Sequence, residues 1–141
     1  MPFAMRGDDL EELPVILVVE DDPIIQNLIN DALGDGGFDV DIASSGEEAV
    51  TLLAADKKAY RALVTDINLL GKLDGWEVSR RAREMNAECP IVYVSGDSGA
   101  EWPSKGVPNS IMLTKPFAPA QLVTAVSQLL NSGNSATSGN P

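Results

Sequence analysis

The chain has 141 residues, 44% of them hydrophobic, which suits one globular domain with a single core. Acidic residues outnumber basic ones 21 to 10, a net charge of −11 that disfavours the phosphate backbone of nucleic acid as a ligand. Histidine is absent, so the commonest general base and zinc ligand is excluded, and any chemistry falls to carboxylates, hydroxyls and lysine.

Residues 1–13 and 132–141 carry no periodic apolar pattern and read as a flexible N-terminal extension and a disordered tail, which leaves 14–131 as the folded unit. Val15 to Val19 is a short β-branched apolar run, as expected of a strand buried on both faces. Asp21, Asp22 and Pro23 then open a helix in which Ile24, Ile25, Leu28, Ile29, Ala32 and Leu33 keep helical spacing, and Gly34, Gly36 and Gly37 end it. Phe38 to Ile42 reads as a second strand, and Ser45 with Glu48 forms a capping signature before a second helix.

Ala62 to Thr65 is a third strand that ends on Asp66, and a glycine-bearing loop leads to a helix from Trp76 to Met85. Pro90 to Val94 and Ile111 to Thr114 are the fourth and fifth strands. A last helix places Leu122, Val123, Val126, Leu129 and Leu130 on one face. Between those strands, Gly96, Gly99, Pro103, Gly106 and Pro108 oppose a long helix, and a short or broken one is predicted. Strands alternating with helices indicate an α/β fold, a doubly wound five-stranded parallel sheet with helices on both faces.

In such sheets ligands sit at the carboxyl ends of the strands. Those ends carry Glu20 and Asp21, then Asp66, Ser95 and Lys115. Carboxylates about 4 Å apart repel by on the order of 4 kcal/mol per pair at an effective dielectric near 20, and a divalent cation relieves this. Magnesium suits the set, since it takes hard oxygen ligands and keeps positions for water and a phosphate. A carboxylate is also a competent nucleophile toward phosphorus when a lysine and a hydroxyl stabilise the transferring group.

The motifs Val18-Val19-Glu20-Asp21-Asp22-Pro23, Thr65-Asp66 with Asp74-Gly75, Val94-Ser95-Gly96 and Thr114-Lys115-Pro116-Phe117 resemble, in order and spacing, the receiver domain of bacterial response regulators over about Val15 to Leu130. The resemblance implies the flavodoxin-like form of the fold and a phosphorylation switch in a two-component system. It makes Asp66 the phosphoacceptor, Asp21 a direct magnesium ligand, Glu20 a ligand through water, and Asn68 a ligand through its backbone carbonyl. Ser95 becomes the hydroxyl, and Lys115 the lysine, that bind the phosphoryl group. The Lys115–Pro116 bond resembles one often cis in the family. The partner implied is a sensor histidine kinase or phosphotransfer protein, which must bring the histidine that this chain lacks. As the chain ends soon after the fifth helix, a downstream protein is expected to take the signal.

The blander readings assign Asp22 and Asp74 to helix capping, Trp76 to the core and Cys89 to an inert structural thiol. The start of the chain lacks the basic and apolar regions of a secretory signal, and its longest apolar run, Leu13 to Val19, is far short of a membrane span. The lone Cys89 makes no internal disulfide, and together these features point to the cytoplasm.

Three departures from the family pattern stand out. The loop from Asp66 to Gly75 is one residue longer and lacks its proline. Met112 stands where an aromatic is usual, and the 96–109 segment is rich in Gly and Pro. The last two suggest that phosphorylation orders the 96–109 loop where the family turns an aromatic ring. Two rival readings are a small aspartate-nucleophile phosphatase and a receiver-like adaptor that binds without phosphorylation. The first wants an acid two residues after the nucleophile, where Asn68 stands; the second leaves a complete set of chemical positions unused. A nucleotide-binding domain is a weaker third, for the turn after the first strand is acidic where a glycine-rich phosphate cradle is needed.

Overall fold

A computed structural model describes residues 13–138. The elements are β1 (Val15–Val19), α1 (Pro23–Asp35), β2 (Asp39–Ala43), α2 (Gly46–Ala55), β3 (Tyr60–Asp66), α3 (Gly75–Met85), β4 (Ile91–Ser95), a 3-10 turn (Gly99–Glu101) running into the single-turn helix α4 (Trp102–Lys105), β5 (Ser110–Thr114) and α5 (Pro119–Ser138). All strand pairs are parallel, in the order β2-β1-β3-β4-β5. This is the doubly wound sheet expected from the alternation of elements. The expected N-terminal extension, save Leu13, and residues 139–141 of the expected tail lie outside the described residues. Helical backbone continues to Ser138, beyond the expected boundary at 131.

The period of two in the strands sorts the core onto two faces. Ile16, Val18, Val64, Val92 and Val94 face α1 and α5, where Ile29, Leu33, Leu122 and Val126 meet them. Leu17, Val19, Leu63, Ile91 and Tyr93 face α2 and α3, where Ala49, Trp76, Val78 and Ala82 meet them. Full burial of a side chain such as Ile29 or Leu33 contributes roughly 2 kcal/mol. Cys89 and Trp76 are buried in the second cluster, as read from the sequence.

The caps follow the sequence signals. Ile24 N–H donates to Asp22 Oδ1 at 2.9 Å, Glu48 N–H to Ser45 Oγ at 3.1 Å and Glu77 N–H to Asp74 Oδ1 at 2.9 Å. Boundaries move by a few residues: Gly34 lies inside α1, which Gly36 caps, and β2 begins after Phe38. The helix between β4 and β5 is cut to one turn, as its glycines and prolines predict. Several contacts tie this segment to the core. Val107 N–H donates to the buried Tyr93 hydroxyl at 3.0 Å, Trp102 Nε1 donates to Ser110 Oγ at 2.9 Å, and Trp102, Val107 and Met112 pack on the second cluster.

Register is what assembles a site. Val19 is level with Thr65, Asp66 with Val94, and Ser95 with Thr114. Hence Glu20, Asp66, Ser95 and Lys115 emerge side by side on one rim.

Candidate functional site

Glu20 continues β1 by one residue, its N–H bonded to Ala43 O at 3.0 Å, which draws its side chain into the protein. Its carboxylate accepts from Asp22 N–H at 3.1 Å and from Lys115 Nζ at 3.2 Å. The Lys115 ammonium, reaching across from the end of β5, also bonds Asp66 Oδ2 at 3.0 Å. The Lys115–Pro116 bond is cis. Asp66 is buried at the end of β3, and Asp21, half exposed, accepts Leu70 N–H on Oδ2 at 3.1 Å.

One oxygen from each of Glu20, Asp21 and Asp66 lies within 4.8 Å of the others. Three carboxylates against one ammonium leave two negative charges in a partly desolvated cleft, where each like-charged pair costs on the order of 3 kcal/mol at an effective dielectric near 20. The strain is visible in Glu20, whose carboxyl is pushed above its ordinary range by burial; the Asp22 N–H acts the other way, and Asp66 adds to the rise. Lys115 shows the complement. Burial works against its charge, yet the hydrogen bond and attraction from Asp66, with those from Glu20, hold its pKa above the ordinary value. Hard oxygen donors with a net charge of that sign fit a small divalent cation.

Ser95 closes the rim from β4. Its Oγ accepts Ser98 N–H at 2.8 Å and Asp97 N–H at 3.3 Å, so the hydroxyl keeps its own proton free to donate while it holds the following turn. Asn68 meets the same turn from the β3–α3 loop. Its N–H reaches Asp66 Oδ1 at 3.4 Å, and its side-chain amide donates to Asp97 Oδ1 at 2.9 Å and Ser98 Oγ at 3.3 Å. A polar bridge thus joins the β3–α3 and β4–α4 loops beside Asp66.

All five residues read from the sequence, together with Asn68, are brought to one cleft. Asp97, Ser98 and Leu70 were missed, because their contacts depend on loop paths that spacing does not encode. Gly75 was read as part of a capping turn, but its necessity lies elsewhere: a Cβ there would meet Asp66 O at 2.1 Å and Ile67 Cα at 2.8 Å. The Asp-Gly pair was the available signal, without its reason.

The response regulator receiver domain model matches residues 16–127. Among curated proteins, the transcriptional regulatory protein TrcR of Mycobacterium tuberculosis is 33% identical over 117 residues, 82% of this chain and 44% of TrcR. The sensor protein EvgS of Escherichia coli is 34% identical over 122 residues, 85% of this chain and 10% of EvgS. The chain therefore spans less than half the length of either relative. Among solved structures, a response regulator receiver protein from Sinorhizobium medicae WSM419 is 47% identical, covers 86% of this chain and 97% of its own, and superposes with a TM-score of 0.83. The receiver domain of a sensor histidine kinase from Pseudomonas aeruginosa PAO1, with a magnesium ion coordinated in its active-site cleft, is 26% identical, covers 85% and 99%, and has a TM-score of 0.73.

Proposed function

The chain belongs to the response regulator receiver domain family, and from this premise we propose that its unit over 14–131 is a phosphorylation switch of a two-component system whose phosphoryl group is carried by Asp66. The observation that carries the reading is the Asp66 carboxylate, buried at a strand end with Lys115 Nζ at 3.0 Å and the oxygens of Glu20 and Asp21 within 4.8 Å. A nucleophilic carboxylate, a lysine bonded to it and a free hydroxyl proton on one rim are what phosphoryl transfer to an aspartate requires.

The donor is a phosphohistidine on a sensor histidine kinase or phosphotransfer protein. An Asp66 oxygen bonds to phosphorus as the phosphorus–nitrogen bond to the imidazole breaks, and the imidazole leaves with that electron pair. Lys115 neutralises charge on the phosphoryl oxygens, and the Ser95 hydroxyl donates to one of them. Glu20, Asp21 and Asp66, with the Asn68 carbonyl, would hold a magnesium ion, which when bound offsets charge on the transferring group; the Pseudomonas relative supports this. Drawing Ser95 toward the phosphoryl group removes the acceptor that Ser98 and Asp97 N–H now share, so the signal enters the 96–109 segment at its first turn and passes to a downstream protein. The role is signalling without metabolic turnover, in the cytoplasm. Asn68 supports it over the phosphatase reading, since an amide tied to Asp97 and Ser98 cannot shuttle a proton.

Incubation with a small acyl phosphate and magnesium, followed by intact mass measurement, tests the reading. One phosphoryl adduct on the native chain and none on Asp66→Ala is expected. An adduct on both, or on neither with any donor or kinase, would overturn it.

A further inference from the structure

The loop between β3 and α3, residues 67–74, carries one residue more than the family pattern, and the structure shows what holds the longer path. Its tip buries little: the Leu70 side chain is 74% exposed. Two backbone amides of the tip instead end on carboxylates from different elements. Leu70 N–H donates to Asp21 Oδ2 at 3.1 Å, and Lys72 N–H donates to Glu47 Oε2 at 2.8 Å. Gly71 lies between them with φ at +100°, in the left-handed region that glycine enters without steric cost.

We propose that Glu47, which lies outside the acid cleft, is a positioning residue for it: by clamping Lys72 N–H it fixes the loop so that Leu70 N–H orients Asp21 toward the metal position. The inference rests on the reading of the cleft given above. Among the described residues, the bond from Leu70 is the one hydrogen bond that the half-exposed Asp21 carboxylate makes, so its orientation follows the loop. Glu47 itself is well anchored. It is the second residue of α2, and the start of that helix is pressed on the end of the loop, for a Cβ on Gly46 would meet Leu73 O at 2.7 Å. A Cβ on Gly71 would lie 2.8 Å from Glu47 Oε1, so a side chain there would push on the clamping carboxylate as well as strain the backbone at φ +100°.

The Glu47 carboxyl is held below its ordinary range by the Lys72 N–H first and by its own backbone N–H next, as expected of an ionised acceptor facing converging donors. A carboxylate that merely decorated a helix start would be indifferent to the loop. This one couples the loop's far side to helix α2 while Asp21 takes the near side. The arrangement is that of an outer residue orienting a metal ligand, a role whose loss lowers metal affinity by on the order of tenfold.

The test uses the full chain with Glu47→Ala, Glu47→Gln and Gly71→Ala. In metal-free protein, amide exchange at Leu70 and Lys72 is expected to rise in Glu47→Ala and Gly71→Ala, and to stay near native in Glu47→Gln, whose amide oxygen still accepts. Calorimetric titration with magnesium chloride should show affinity reduced by on the order of tenfold in Glu47→Ala, and rescued in Glu47→Gln. The Glu47→Ala/Gly71→Ala pair should bind magnesium no more weakly than either single variant, since both break one clamp.

Native exchange and native affinity in Glu47→Ala overturn the proposal, as does a Gln variant as impaired as Ala, which would make charge and not hydrogen bonding the cause. A native chain that takes up neither magnesium nor a phosphoryl group sinks the reading of the cleft instead, while the metal-free exchange still reports on the clamp.

Discussion

Lys115 is the cation that holds the cleft together before any ligand arrives. Its ammonium is 3.2 Å from Glu20 and 3.0 Å from Asp66, carboxylates that are 1% and 8% exposed. Truncation to alanine strands two buried negative charges, a change that costs about 3 kcal/mol or more. Urea titration of Lys115→Ala without divalent cation should show that loss, and added magnesium should return part of it; an unchanged midpoint would contradict the ion-pair account. Gly75→Ala attacks the same place from the backbone side. The new methyl must displace the Asp66 carbonyl, and we expect about 2 kcal/mol of destabilisation with loss of phosphoryl uptake by Asp66. Native stability and uptake in that variant would show that the backbone yields. Asp66, Lys115 and Ser95 were readable in the sequence because strand ends converge in a parallel sheet. Gly75, Asp97 and Glu47 were not, since their importance comes from a backbone approach or a loop path with no periodic signal.

Among the elements, the stretch between β4 and β5 is the least regular, a 3-10 turn running into one helical turn. Its glycines and prolines announced a broken helix, and a single turn is what forms. What no pattern announced is the anchoring that keeps the stretch in place: the Tyr93 hydroxyl, buried beside Trp76 with ring centroids 4.8 Å apart, bonds Ser79 Oγ and accepts Val107 N–H. Met112, in place of an aromatic ring, packs on this side of the core near Gly99. Tyr93→Phe should cost about 1 kcal/mol or more by leaving buried polar groups unpaired, and should raise amide exchange at Val107. Unchanged protection there would mean that apolar contacts alone hold the segment. By contrast, α1, α2 and α3 were legible together with their caps, because Asp22, Ser45 and Asp74 stand directly before apolar helical periodicity.

For the whole molecule, the order β2-β1-β3-β4-β5 and its level register turn four strand ends into one site. Sequence alternation foretold the parallel sheet but does not encode the strand order, which depends on how the crossovers pack. Stability should decline at alkaline pH. Burial pushes the Cys89 thiol from 9.0 up to about 11 against a small opposing pull from Arg83, and burial with the Asp41 carboxylate pushes the Tyr60 hydroxyl from 10.0 up to about 12. Both groups ionise in the unfolded chain before they do so in the fold. The unfolded state therefore binds fewer protons above about pH 9, and stability falls as pH rises through the folded values. Urea midpoints measured from pH 8 to 11 should show the decline, with a shallower slope in Cys89→Ala; equal slopes would contradict burial as the cause.

The central claim is that one carboxylate, Asp66, becomes an acyl phosphate. An acyl phosphate is reduced by borohydride to an alcohol, which would convert that aspartate to homoserine. After reaction with a small acyl phosphate and magnesium, borohydride treatment and peptide mass spectrometry should therefore find homoserine at position 66 and nowhere else. Homoserine at Asp21 or another carboxylate, or none at all in a phosphorylated chain, would contradict the account.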